Sequence, residues 1–447
     1  MIAAMRLSRF ILAPLALLAG LAMTLPARAE VAFREITSPG GITAWMVEDY
    51  TVPIITLAFA FDGGSTQDPD GLLGSAYLLT TLLDEGAGDL DSDAFQTRQD
   101  EVGLDMGFSV GLDTFSGFAR MLADEREGAT DLLSLAITAP RFDQPALDRM
   151  RSQVISRIVA RSQAPGYAAS RMWNEALFED HPYGRPVEGT EETLSAITAD
   201  NLRALHRAIF ARDNLTVGIV GALDEATAGA LIDQVFGSLP QAPDLVPVSD
   251  AQMTFGQELD VAYPLPQTWI NLAYPGIAEA DDDFFAAYVM SEILAGGSLL
   301  SELNVEVREK RGLSYGVSGG LVNFDHADAM MINTATRPDQ AAQALDVIHD
   351  TIARIAQDGP DPAALERTKR YLIGAYPINQ LRSSVSIAGA MVGQQRRDLP
   401  IDYVDERTRR IEAVTADDVK AAAQRIFGTQ PSVMLVGQGA APGDVAD

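Results

Sequence analysis

The chain of 447 residues contains no cysteine and only four histidines, and its cationic side chains are outnumbered almost two to one by anionic ones. Without cysteine there are no disulfides, thiol nucleophiles, iron–sulfur clusters or lipidated cysteine anchor. The histidines are His181, His206, His326 and His349, no two closer than 23 residues. Zinc usually takes two ligands close together on one element. A self-contained zinc site is therefore not expected, and no cofactor is assigned to this chain. With 33 Lys and Arg against 62 Asp and Glu, the formal net charge is −29. That charge opposes nucleic acid and anionic lipid as partners.

Residues 1–29 carry Arg6 and Arg9, an apolar run over 10–25, and Ala27-Arg28-Ala29. A positive start, an apolar run and a small-x-small site form a cleaved signal peptide. The run is short for a bilayer span. A periplasmic or secreted protein without a stable membrane anchor is expected. The chain is 47% hydrophobic, which excludes disorder, and its length suggests two or three domains.

The chain contains itself twice. ITADNLRALHRAIF (197–210) matches VTADDVKAAAQRIF (414–427), and ALDRMR (146–151) matches ALERTK (364–369). Each long match is followed by a short strand pattern ending in glycine, at Gly221 and Gly437. A spacing above 200 residues means a duplicated domain rather than a solenoid. Pro240, Pro243 and Pro247 mark a linker, because proline fixes φ and removes a donor. The domains are drawn at 30–237 and 253–438, with the linker at 238–252 and a flexible tail at 439–447.

In the first half the periodicity predicts strands at 42–47 and 54–61 and helices at 71–83 and 93–102. A hairpin follows at 104–110 and 114–121. Further helices are predicted near 125–136, 145–162, 166–178 and 200–210, with a last strand at 215–220. The second half repeats this order: strand 269–274, helices 281–294 and 298–311, strands 314–323 and 329–336, then helices and strand 432–436. Hairpins with segregated helices mean an α+β fold.

Residues 293–320 read ILAGGSLLSELNVEVREKRGLSYGVSGG. Gly312 sits where a helix ends, so Arg308 and Tyr315 lie on either side of a helix-to-strand turn. Taken alone, a last-turn cation complements the helix dipole and a strand tyrosine is a packed aromatic.

R-E-K-R-G-L-S-Y-G-V resembles the R…Y motif in the C-terminal domain of the pitrilysin/insulinase family of zinc peptidases, in its processing-peptidase-like branch. EDHPYGRPVEGTEETLSAITADNL (179–202), ARDNLTVGIVG (211–221), VFGSLP (235–240) and ILAGGSLLSEL (293–303) are similar to that family too. The resemblance implies two duplicated domains, each a mostly antiparallel sheet with helices packed on one face, arranged as a clamshell.

Active relatives carry H-x-x-E-H, two histidines holding zinc and a glutamate polarising water. Here the matching positions are Tyr77, Thr80 and Thr81, none of them a competent ligand or base. The family's third ligand is a glutamate that would fall near Ser156 and Arg157. No Asp or Glu occurs between Asp148 and Glu175. What the resemblance retains is Arg308 and Tyr315, which in the family donate to a bound peptide and its oxyanion. The expectation is a non-catalytic subunit supplying these donors in trans to a zinc-bearing, H-x-x-E-H homologue, with peptides or unfolded segments as substrate. Two other readings stand beside it. One is a purely structural subunit. The other is a serine hydrolase using Ser318, since Gly316–Gly320 fits G-x-S-x-G with Asp325 and His349 downstream.

Overall fold

A computed structural model describes residues 32–437. The signal-peptide and tail assignments lie outside the described residues. The first half contains β1 (Arg34–Thr37), β2 (Thr43–Glu48), β3 (Ile54–Asp62), α1 (Ser75–Thr80), α2 (Ser92–Glu101), β4 (Asp105–Val110) and β5 (Thr114–Leu122). It continues with α3 (Arg126–Thr138), α4 (Gln144–Ser162), α5 (Pro165–Phe178), α6 (Glu191–Ala196), α7 (Ala199–Ile209), β6 (Leu215–Gly221) and α8 (Glu225–Phe236). The second half contains β7 (Glu258–Ala262), β8 (Thr268–Pro275), α9 (Phe284–Ala295), a π-helical turn (Asn304–Glu309), β9 (Ser314–Phe324) and β10 (Ala327–Thr336). Helices α10 (Ala341–Asp358), α11 (Pro362–Gln380), α12 (Ser384–Arg396), α13 (Tyr403–Ala413) and α14 (Ala416–Phe427) lead to β11 (Ser432–Gly437).

The duplication is visible in the sheets. One runs β1-β2-β6-β3-β5-β4, the other β7-β11-β8-β10-β9. In each, the last strand of its half pairs in parallel with the first strand of the shared order (β6 with β2, β11 with β7). The remaining pairs are antiparallel. Strand β1 is an addition on the edge of the first sheet. The fold is α+β, as expected, with helices grouped on one face of each sheet.

One helix from each half crosses to the other. Helix α12 lies across β2, β3 and β6, where Ile387, Ala388, Met391 and Val392 bury against Trp45, Val47, Ala58, Ala60 and Val220. This explains β3, where seven successive residues are buried. A strand covered on both faces reads as a continuous apolar run rather than an alternation. Gly218 permits the approach, because a Cβ there would sit 2.6 Å from the Ala388 carbonyl oxygen. The contact is fastened by Thr56 Oγ1 donating to Ser384 Oγ at 2.8 Å and Gln395 Nε2 donating to Val217 O at 3.0 Å. Arg396 spans Asp62 of the first half and Asp325 of the second. In return, α5 places Ala169, Trp173 and Leu177 in a cluster with Val261, Ala273 and Val436 of the second sheet.

Residues 240–257 form neither helix nor strand. They are tied down by the paired bonds between Val246 and Gln67 and by Ala251 N donating to His326 O.

Candidate functional site

The helix expected over 71–83 is shortened to six residues. Gly71 and Gly74 adopt φ of +79° and +89°, a left-handed backbone that interrupts any helix before Ser75. Asp68 caps the start, accepting from Gly74 N at 2.7 Å and Ala76 N at 2.8 Å. Burial pushes its carboxyl up to about 7 against the pull of those bonds. At the far end, Thr80 Oγ1 donates to Tyr77 O and Thr81 Oγ1 to Leu78 O. Both hydroxyl protons are thus spent on the preceding turn, a bond that weakens helix continuation.

Tyr77, Thr80 and Thr81 lie on the half-buried side of α1, opposite Leu78, Leu79 and Leu82 in the core. The Tyr77 hydroxyl accepts a hydrogen bond from Arg157 Nη1 at 2.5 Å. Arg157 belongs to α4, at the place where the resembled family carries its third, acidic ligand. These residues do not fit zinc. A guanidinium brings positive charge to the position, and the phenol oxygen is engaged as its acceptor. Among the described residues, no group of three His, Asp or Glu is arranged to hold a metal.

Arg308 and Tyr315 are seated differently from the sequence expectation. The helix expected over 298–311 is a π-helical turn, Asn304–Glu309, in which Lys310 N donates to Val305 O. Single π turns are frequent at functional sites. Asn304, 3% exposed, locks this turn to β9. Its Nδ2 donates to Val317 O at 2.8 Å and its Oδ1 accepts from Val317 N at 3.0 Å. A side-chain amide thereby imitates a strand pair. Gly312, at φ +62°, reverses the chain, and Leu313 N returns to Val307 O.

Strand β9 then bulges. Val317 pairs with Thr334 and Ser314 with Thr336, so Tyr315 and Gly316 together oppose Ala335. A bulge re-aims the side chains it carries. Tyr315 is 91% exposed, and Arg308 is half-buried. Among the described residues, neither side chain makes a hydrogen bond or ion pair, and no such bond joins either to Tyr77, Thr80 or Thr81. The cations beside Arg308 are committed, since Lys310 and Arg311 both bind Glu306.

The serine-hydrolase reading is overturned. Ser318 sits mid-strand opposite Asn333, not on the strand–turn–helix elbow that the motif requires. Asp325 is engaged by Arg396, and His349 lies on α10. Of the other histidines, His206 is buried against Phe210 and Phe142 with Nε2 on Ile137 O. Burial depresses its pKa to about 4.

Sequence reasoning missed Asn304 as a seat and Arg157 as an occupant. The signal for Arg157 was its position alone. Asn304 carried none, because its role depends on a strand thirteen residues away.

Comparison with known proteins follows this geometry. Residues 45–191 match the family "Insulinase (Peptidase family M16)" and residues 196–372 match "Peptidase M16 inactive domain". An uncharacterized zinc protease of Streptomyces coelicolor is 26% identical over 416 residues, spanning 90% of this chain and 89% of its own. A non-peptidase homolog, YmxG, of Helicobacter pylori is 22% identical over 341 residues, spanning 74% of this chain and 77% of its own. Among solved structures, a peptidase M16 inactive domain from Pseudomonas fluorescens superposes with TM-score 0.84 at 28% identity, over 93% of this chain and all of that one.

Proposed function

The chain belongs to the insulinase family, peptidase family M16, and we propose that it serves there as a non-catalytic partner subunit. In this reading it is secreted, pairs with a homologue that carries H-x-x-E-H and zinc, and acts with it on peptides or unfolded segments. The names of its relatives, an inactive domain and a non-peptidase homolog among them, are in keeping with a member that does not itself catalyse.

The observation that carries the proposal is Tyr315. A tyrosine of ordinary structural role packs its ring, because aromatic burial is its main contribution to stability. This ring is 91% exposed, held out by a bulge and by a turn that Asn304 pins. Its hydroxyl has no partner among the described residues. It is presented to something outside the chain.

The chemistry follows from the residue types. A phenol O–H and a guanidinium donate to carbonyl oxygens of an extended peptide, and preorganised donors stabilise charge developing on such an oxygen. Strand β9 is also an edge of its sheet and eleven residues long. Beyond Val317, whose N–H and C=O Asn304 already takes, its outer backbone groups can take a peptide as an added strand. Arg308 and Tyr315 would then hold the peptide while the partner supplies the reaction.

The test is a peptide-cleavage assay with the chain alone, with a co-expressed H-x-x-E-H homologue from the same organism alone, and with both. Activity only in the mixture is expected. Full activity from the homologue alone would leave this chain a structural role.

A further inference from the structure

The duplication gives the lost site a counterpart in the second half. SAYLLTTLL (75–83) aligns with AAYVMSEIL (286–294), so Tyr77 corresponds to Tyr288 and Thr81 to Glu292. The burial of the two segments agrees at eight of nine positions. Both tyrosines accept from an arginine: Tyr77 from Arg157, Tyr288 from Arg407 Nη2 at 3.2 Å. The arginines come from different helices, α4 and α13.

The second-half site borders an open space. A cavity of about 360 Å³ opens there between α9, α11, α12 and α13, within the usual size of small-molecule sites. Aromatic rings wall it: Phe284, Phe285, Tyr288, Tyr376 and Tyr403. Arg407 lies in the wall, 6% exposed, its guanidinium 4.7 Å from the Tyr376 ring centre. It donates to Leu372 O at 3.1 Å and to Tyr288, which leaves N–H groups over. Among the described residues it has no carboxylate partner. Glu292, on the neighbouring helix, makes no ion pair with it among the described residues, although burial raises the pKa of that carboxyl and the Arg407 charge lowers it. A second cation on the cavity wall, Arg397, is already taken by both oxygens of Glu279.

A guanidinium this deeply buried is ordinarily ion-paired. Here Glu292 acts on the guanidinium without forming an ion pair, and an open volume with aromatic walls lies beside it. We propose that this cavity binds a small organic carboxylate bearing an aromatic or broad apolar side chain, such as a free amino-acid derivative or the last residue of a peptide. Arg407 takes the carboxylate and the rings take the side chain. The site is independent of any partner chain, so its failure would leave the preceding reading untouched.

The test is calorimetric titration of the purified protein with N-acetylphenylalanine, N-acetylphenylalaninamide and a pentapeptide ending in a free phenylalanine carboxylate. At least one acid should bind roughly tenfold or more tighter than the amide. Binding of the small acid alone assigns a free metabolite, and binding of the peptide assigns a C-terminus. Because Arg407→Lys also disturbs a buried network, Gly389→Leu provides the second variant. Gly389 lines the cavity, and a Cβ there meets nothing within 4 Å, so a leucine can narrow the cavity without breaking the fold. It should abolish binding. Equal affinity for acid and amide, unchanged affinity in Gly389→Leu, or no binding of any probe below about 10 mM would overturn the proposal.

Discussion

The Arg157 guanidinium donates to the Tyr77 hydroxyl at 2.5 Å, filling with positive charge the place where active insulinase-family members hold a metal. Loss of the ligands and gain of a cation are separate changes, and they can be separated by mutation. A Tyr77→His, Thr80→Glu, Thr81→His variant restores the motif but keeps the cation, and should not retain zinc through dialysis. Adding Arg157→Glu should bring zinc content toward one per chain. Stoichiometric zinc in the triple variant would show that Arg157 does not matter.

Asn304 should be the most sensitive residue of the R…Y turn. Asn304→Ala leaves both polar groups of Val317 unpaired in a buried place. Each such loss costs about 1–3 kcal/mol, so urea unfolding should show a drop of at least ~2 kcal/mol. In the mixed assay the same variant should also lower activity, because the bulge carrying Tyr315 begins two residues before Val317.

The exchanged helix makes a third prediction. Gly218→Ala forces a Cβ against the Ala388 carbonyl. Overpacking against backbone costs about 1–3 kcal/mol. Hydrogen exchange should accelerate over 384–396 more than over α10, which packs on α14 and the π-helical turn of its own half.

His206 predicts a pH dependence. Its pKa is depressed to about 4 by burial, against about 6.5 when unfolded. The neutral form is therefore favoured in the fold. The stabilisation is whole above pH 6.5 and is lost as pH falls toward 4, by up to ~3 kcal/mol. His206→Phe should be less stable at pH 7, since Ile137 O loses its donor, but should show a flatter decline between pH 6.5 and 4.5.

Much of this was readable from residues alone. The matching segments at 197–210 and 414–427 became α7 and α14, the same element in each half. Strands such as β3 and β6 were legible because their apolar runs are long. Other features were not. Helix α12 is apolar or small through most of its length, with Val385 apolar yet exposed, so its sequence does not single out the stripe of Ile387, Ala388, Met391 and Val392 that crosses to the first sheet. Strands β1 and β7 are short edge strands with exposed residues and gave little pattern. The helices expected over 71–83 and 298–311 are both shorter in the structure, and they carry the two parts of the candidate site. Left-handed glycines, side-chain caps and a π turn shaped them, against the periodicity.

The central claim is that Tyr315 works outside its own chain. The measurement that tests it most directly is the peptide-cleavage rate of the mixed subunits carrying Tyr315→Phe, with assembly verified by co-elution. Removing one oxyanion donor costs about a hundredfold in kcat, so a loss of that order with unchanged assembly is expected. A Tyr315→Phe mixture as active as the native one would contradict it.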